Sequence, residues 1–214
     1  MYEKEECSKN TNHHKSIGVC MISVGRQENN NVWFSAAVQD DQVLVTYFSP
    51  EDPDLKRILL RLPEDTMFEV LEEPNQFLAK VLKAIEEVFN GNDRETFLFN
   101  IGLQHLSSYT QNVLQCTSLV PVGYVTTYGA IAKVSGGIAR SVGRVEASNP
   151  VPLLIPCHRV VSSDLRIGGY GYGEQTKWEI LQREDRGYEE SKKLKIDDTE
   201  LILFPIKWIK KNHG

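Results

Sequence analysis

Residues 126–147 read TTYGAIAKVSGGIARSVGRVEA, and residues 149–161, just beyond them, read NPVPLLIPCHRVV. Thr126 or Thr127 can cap a helix over the first run, because a threonine hydroxyl accepts from the unpaired N–H groups of a first helical turn. Gly136-Gly137 stops that helix, and a second one opens at Ile138 and runs to about Ala147. Two short helices rich in small residues and joined by a tight glycine turn have the pattern of a helix-turn-helix. The second run is apolar but carries prolines at 150, 152 and 156. Proline fixes φ and cannot donate a hydrogen bond, so this run suits a rigid connection ending on Pro156-Cys157-His158-Arg159.

On the N-terminal side the pattern changes. Residues 1–14 read as a flexible leader. IGVCMISV (17–24), VWFSAAV (32–38) and VLVTYF (43–48) read as strands, with turns at RQENNN and QDDQ, and together predict an antiparallel meander. Pro53 or Asp54 opens a short helix through Arg61. Pro74 opens a longer one, in which Phe77, Leu78, Val81, Leu82, Ile85, Val88 and Phe89 fall at helical spacing up to Asn90-Gly91. Ser107 or Ser108 caps a helix with Val113, Leu114 and Leu119 on one face. A final helix spans about 174–185, the stretch 186–198 is charged and poorly patterned, and LILFPIKWI (201–209) is a candidate strand or short helix. The expected fold is therefore α+β. A small N-terminal α/β domain covers 15–106, a mostly helical domain with the helix-turn-helix covers 107–186, and 187–214 forms an extension.

The chain has 214 residues, of which 41% are hydrophobic and 25% charged. That is enough to bury a core without disulfides and is inconsistent with wholesale disorder. There is no apolar run of ~18 residues, so a membrane-spanning helix is excluded. The N-terminus has no apolar stretch resembling a secretory signal. The net charge of −5 conceals an asymmetry. Residues 1–107 carry 10 Lys and Arg against 18 Asp and Glu, a net of −8, whereas residues 108–186 carry 8 against 6, a net of +2. An anion-binding surface is expected in the second part. The cysteines, Cys7, Cys20, Cys116 and Cys157, include no CxxC pair. Cys7, His13, His14 and Cys20 match no usual zinc spacing, so they are read as part of a polar leader and a strand.

Cys157 is the main candidate for chemistry. A thiol becomes a strong nucleophile as the thiolate, which an adjacent imidazole or guanidinium favours. A cysteine in an apolar run is equally suited to a core position, so spacing alone leaves both readings open. GGYGYG (168–173) lacks the Lys-Ser/Thr of a phosphate loop. Its alternating tyrosines suggest a flap able to stack a planar ligand.

The segments PVGYVTTYGAIA, ARSVG, NPVPLLIPCHRVV, GGYGYG and KWEILQRE, between Pro121 and Glu184, resemble the O6-alkylguanine-DNA alkyltransferases, also called methylated-DNA–protein-cysteine methyltransferases. The resemblance implies a ribonuclease-H-like N-terminal domain. It also implies a monomer, without metal or cofactor, that binds duplex DNA containing O6-alkylguanine and moves the alkyl group irreversibly to its own cysteine. By resemblance Cys157 is the acceptor, His158 polarises it through a water, Glu184 orients His158, Asn149 is the hinge before the acceptor segment, and Tyr128 helps rotate the nucleotide out and donates toward guanine N3. Arg140 fills the gap in the base stack. Thr127, Tyr128, Ala139, Arg140, Gly143 and Arg144 form the DNA-facing set, and Tyr170, Gly171, Tyr172, Val160 and Arg159 the substrate pocket. Tyr172 stands where many relatives have glycine, which predicts a narrower pocket or a differently posed flap. No membrane partner is implied, and the expected location is the cytoplasm, or the nucleus in a eukaryote. Two other functions remain: a sensor that binds alkylguanine without transfer, against which the cysteine itself argues, and a Cys/His hydrolase, for which no oxyanion hole is specified.

Overall fold

A computed structural model describes residues 21–52, 56–62, 66–92 and 99–210. The leader, with Cys7, His13, His14 and Cys20, and the start of the first expected strand lie outside the described residues. β1 (Ile22–Asn29), β2 (Val32–Gln39) and β3 (Gln42–Ser49) form the expected antiparallel meander. The first turn is tighter than RQENNN suggests. β1 continues to Asn29, and only Asn30 and Asn31 turn, with φ of 50° and 61°. Asparagine tolerates this left-handed region, which a two-residue hairpin requires. Arg26 and Gln27 remain in the strand because each has a partner: Arg26 lies over the Trp33 ring, and Gln27 donates to Glu86 at 3.0 Å. Short parallel strands flank the meander, β4 (Phe68–Val70) beside β1 and β5 (Asn100–Ile101) beside β3, giving the order β4-β1-β2-β3-β5. α1 (Lys56–Leu59) is a single turn.

α2 (Gln76–Phe89) starts two residues beyond Pro74, with Asn75 as its cap accepting from Leu78 N–H at 2.9 Å. It buries Leu78, Val81, Leu82, Ala84, Ile85 and Val88 in the core it shares with the sheet. Burying each large aliphatic side chain stabilises by roughly 1.5–3 kcal/mol before entropy is counted.

The second half contains α3 (Ser108–Ser118), capped by Ser107, and α4 (Tyr128–Ser135), capped by Thr127. α5 (Ala139–Ala147) and α6 (Glu174–Glu184) follow. It also contains a four-stranded sheet absent from the sequence reading. β6 (Tyr124–Thr127) leads directly into α4, with β7 (Val160–Val161) parallel on one side and β9 (Thr199–Pro205) antiparallel on the other. β8 (Lys192–Ile196) pairs with β9, so the order is β7-β6-β9-β8. The charged stretch 186–198 is thus partly strand. LILFPIKWI supplies both a strand and the short 3-10 turn Ile206–Trp208.

Two contacts fix the proline-rich segment against the first sheet: Thr46 N–H donates to Pro150 O at 3.0 Å, and the Thr46 hydroxyl to Pro152 O at 2.7 Å. A third contact fixes α6. Gly91, at φ +90°, meets the Arg183 backbone so closely that a Cβ there would lie 2.4 Å from Arg183 O. Among the described residues no helix is long and apolar enough to cross a membrane.

Candidate active site

Cys157 opens a 3-10 turn, Cys157–Arg159, directly before β7. Asn149 shapes the approach: its side-chain oxygen accepts from Val151 N–H at 3.0 Å, and its amide donates to Ile155 O at 2.9 Å. Leu153 takes φ +74° within this clasp, and Cys157 N–H donates to Ile155 O at 2.8 Å. The thiol is therefore set on a loop tied internally by Asn149 and externally by Thr46. Cys157 is 6% exposed, and burial, reinforced by the charge of Glu146, pushes its pKa up to about 12. Any thiolate here must be made during the reaction, because it is not the resting form.

Behind the cysteine lies a buried charge network. Glu184, at the end of α6, accepts from Arg159 Nη2 at 2.7 Å and Nε at 2.9 Å, and its Oε1 lies 3.0 Å from His158 Nε2. Arg159 also donates to Val120 O at 2.7 Å. Burial alone would raise the Glu184 carboxyl, but His158 and Arg159 outweigh it and hold the pKa at about 2. Burial pulls His158 below its ordinary value, against the attraction of Glu184. A neutral imidazole that donates from Nε2 to Glu184 carries its lone pair on Nδ1, and Nδ1 is buried without a hydrogen-bond partner. The arrangement is a base held in one tautomer by a carboxylate, next in sequence to a thiol.

Cys157 lines two cavities. One, of about 360 Å³, lies between Tyr128, Gly143 and Ala147 on one side and Gly169–Gly171 on the other. The second, of about 310 Å³, extends past Tyr170 and Tyr172 to Tyr47, Arg57 and Arg61. A larger one of about 500 Å³, beyond Tyr172, does not reach the thiol. Gly143 faces the Tyr128 ring, from which a Cβ would sit 4.0 Å, an ordinary van der Waals distance. The Tyr128 phenol is raised to about 12 by burial and by Glu146 and Cys157. Tyr172 stacks on Phe48 at 4.0 Å and Tyr170 lies 5.4 Å from Tyr172, so both rings of the glycine loop are packed.

The sequence candidates separate into groups. Cys157, Tyr128, Gly143, Tyr170, Gly171 and Tyr172 line the cavities, and Asn149 lines the smaller one. Arg159 and Val160 do not. The Arg159 guanidinium turns away onto Glu184, and the Val160 carbonyl accepts from Lys177 Nζ at 2.7 Å. Ala139, Arg140 and Arg144 lie exposed on α5. Thr127 does not join them, because it is buried and its hydroxyl accepts from Ala130 N–H at 3.1 Å as the α4 cap. Two site residues were not anticipated. Lys177 is fully buried, and burial pulls its pKa down to about 8 even though Cys157 and Glu146 favour its charge. Glu146 lines both cavities. Among the described residues no three His, Cys, Asp or Glu gather as a metal site.

Residues 108–186 match the model of the 6-O-methylguanine DNA methyltransferase DNA binding domain. A methylated-DNA–protein-cysteine methyltransferase from Methanocaldococcus vulcanius is 36% identical over 138 residues, covering 61% of this chain and 84% of the relative. One of the same description from Methanocaldococcus jannaschii is 36% identical over 121 residues, covering 54% and 70%. The solved O6-methylguanine-DNA methyltransferase of Pyrococcus kodakaraensis superposes with a TM-score of 0.60 at 27% identity, over 77% of this chain and 99% of that one.

Proposed function

The chain belongs to the methylated-DNA–protein-cysteine methyltransferase family, and on that premise we propose that it repairs DNA by transferring the alkyl group of O6-alkylguanine irreversibly to Cys157. The observation that carries this reading is the position of the Cys157 thiol: it opens onto two cavities and is backed by His158, Glu184 and Arg159.

The chemistry follows from the groups present. An alkyl carbon on an aryl-like oxygen is displaced by a soft anionic nucleophile, and the thiolate is the best one a protein has. The thiol proton passes, through a water, to the free Nδ1 of His158, whose developing charge is stabilised by Glu184. Sulfur bonds to the alkyl carbon, the carbon–O6 bond breaks, and its electron pair leaves with guanine. The thioether has no route back to the thiolate, so each molecule acts once.

Guanine O6 is buried in a duplex, so the nucleotide must be extruded at a cost of a few kcal/mol. We read α4 and α5 as a helix-turn-helix and the first sheet with α2 as a ribonuclease-H-like domain, with the division near residues 106–107. The exposed Arg140 and Arg144, beside the small Ala139 and Gly143, suit close approach to a minor groove. In this reading Arg140 fills the vacated stack, Tyr128 assists extrusion, and the base enters between Tyr128 and the 169–171 loop. The active form is read as a monomer, at work wherever the cell keeps its DNA.

The test is to incubate the protein with duplex DNA carrying O6-methylguanine and map the modified peptide. Methylation of Cys157 with recovery of guanine supports the reading. Unmodified protein, or methylation at Cys116, overturns it.

A further inference from the structure

We propose that Glu146 is a further catalytic residue, a neutral carboxyl on the cavity wall that faces the extruded purine and gives it a proton as the carbon–O6 bond breaks. This rests on the alkyl-transfer reading above and adds the group that receives the leaving base.

Glu146 is 7% exposed and lines both cavities that meet at Cys157. Its Oε1 accepts from the Thr117 hydroxyl at 2.6 Å, whereas Oε2 is buried without a hydrogen-bond partner. An ionised Oε2 would be an uncompensated buried charge. The charge of Lys177 favours the ionised form without offsetting burial, and its Nζ is directed to Val160 O at 2.7 Å and Gly169 O at 3.4 Å. The ionisable groups around Glu146 are Cys116 of α3, Tyr128 of α4, Cys157, Tyr170 of the glycine loop and Lys177 of α6, with Arg57 and Arg61 across the smaller cavity. Burial prevails among these influences and pushes the Glu146 pKa up to about 7. Below about pH 7 the carboxyl is therefore mostly protonated, an O–H donor buried beside the two cavities.

That donor matches the substrate. O6-alkylation removes the proton from the adjacent ring nitrogen of guanine and leaves an acceptor there. When the thiolate takes the alkyl carbon, the electron pair on O6 spreads to that nitrogen, which must gain a proton to become guanine. The Glu146 O–H supplies it, while the thiol proton rests on His158, so the step ends with one imidazolium and one carboxylate and no net change in charge. A neutral Glu146 also removes an anion that opposes thiolate formation at Cys157.

The experiment compares wild type with Glu146→Gln, which keeps the shape and a donor but cannot give up a proton, and with Glu146→Leu. Single-turnover transfer from O6-methylguanine duplex DNA is followed by intact-protein mass between about pH 6 and pH 9. Melting temperature and DNA affinity show that each variant is folded. The expected result is transfer at least about tenfold slower in the Gln variant near pH 6, with the wild-type advantage shrinking as the pH rises through about 7. Wild-type transfer beside a Gln variant of equal rate and equal pH profile overturns the proposal alone. Absence of transfer from the wild type overturns it together with the reading beneath it.

Discussion

Replacing Glu184 with Gln perturbs the site at its most highly charged point. Gln keeps the shape but removes the negative charge facing Arg159, which is 2% exposed, and with its oxygen at the Oε1 position it turns an amide N–H₂ against the Arg159 Nε donor. Removing one partner of a buried ion pair costs about 3–5 kcal/mol, because the other charge is left uncompensated. The carboxyl itself gives a similar figure. Its pKa falls from 4.5 to about 2 on folding, a shift worth on the order of 3 kcal/mol. In a chain of this size each kcal/mol moves Tm by about 2–4 °C, so Glu184→Gln should melt lower by roughly 6–20 °C at neutral pH. The depressed carboxyl contributes its stability above the unfolded pKa of 4.5 and loses it as the pH falls toward 2. The gap between wild type and variant should therefore be full at neutral pH and narrow below about pH 4.5. Transfer should also slow at temperatures where both proteins are folded, because an imidazolium formed at His158 loses the negative charge that stabilises it. Paired thermal melts across this range and transfer rates at neutral pH check the reasoning. A Tm within about 2 °C of wild type at pH 7, or a gap that does not change with pH, would refute it.

Other expectations follow from the same geometry. Cys157→Ala should bind alkylated DNA nearly as well as wild type in a gel-shift or anisotropy titration, yet show no transfer by mass. Arg140→Ala and Arg144→Ala should each weaken DNA binding and lower the slope of log affinity against log salt by about 1, with little change in preference among undamaged sequences. A strong sequence preference outside the lesion would contradict the minor-groove reading. Tyr172 lines both the smaller cavity and the one of about 500 Å³. Tyr172→Ala should join them and raise the benzyl-to-methyl transfer ratio at least about tenfold, some 1.4 kcal/mol of barrier, measured by competition between the two lesions. An unchanged ratio would mean that this ring does not limit the pocket.

The elements whose information is local were legible in the sequence. Thr127 followed by a short apolar pattern and closed by Gly136-Gly137 announces α4, and the stripe from Leu78 to Val88 announces α2. The motif around Cys157 and the Glu184 of α6 were legible from their residues and family likeness. β6 was not, because Tyr124–Thr127 is stabilised as a strand by Val160–Val161 and Phe204–Pro205, far away in the chain. β8 was hidden by its lysines at 192, 193 and 195, which are exposed and suit an edge strand. Glu146 and Lys177 were not singled out, yet the signal was present. Glu146 follows Val142 by four residues, and Lys177 shares the spacing of Ile180, Leu181 and Glu184, so both fall on the buried faces of their helices. The family likeness places Arg159 in the pocket, and because adjacency to Cys157 says nothing of direction, only the folded chain shows it turned onto Glu184.

The measurement that bears most directly on the account is the stoichiometry of transfer with O6-methylguanine duplex DNA in excess. The account predicts that methyl incorporation rises once and stops at one equivalent per protein molecule, all of it on Cys157, with no further guanine released. Continued release beyond one equivalent, or a plateau reached with Cys157 unmodified, would contradict it.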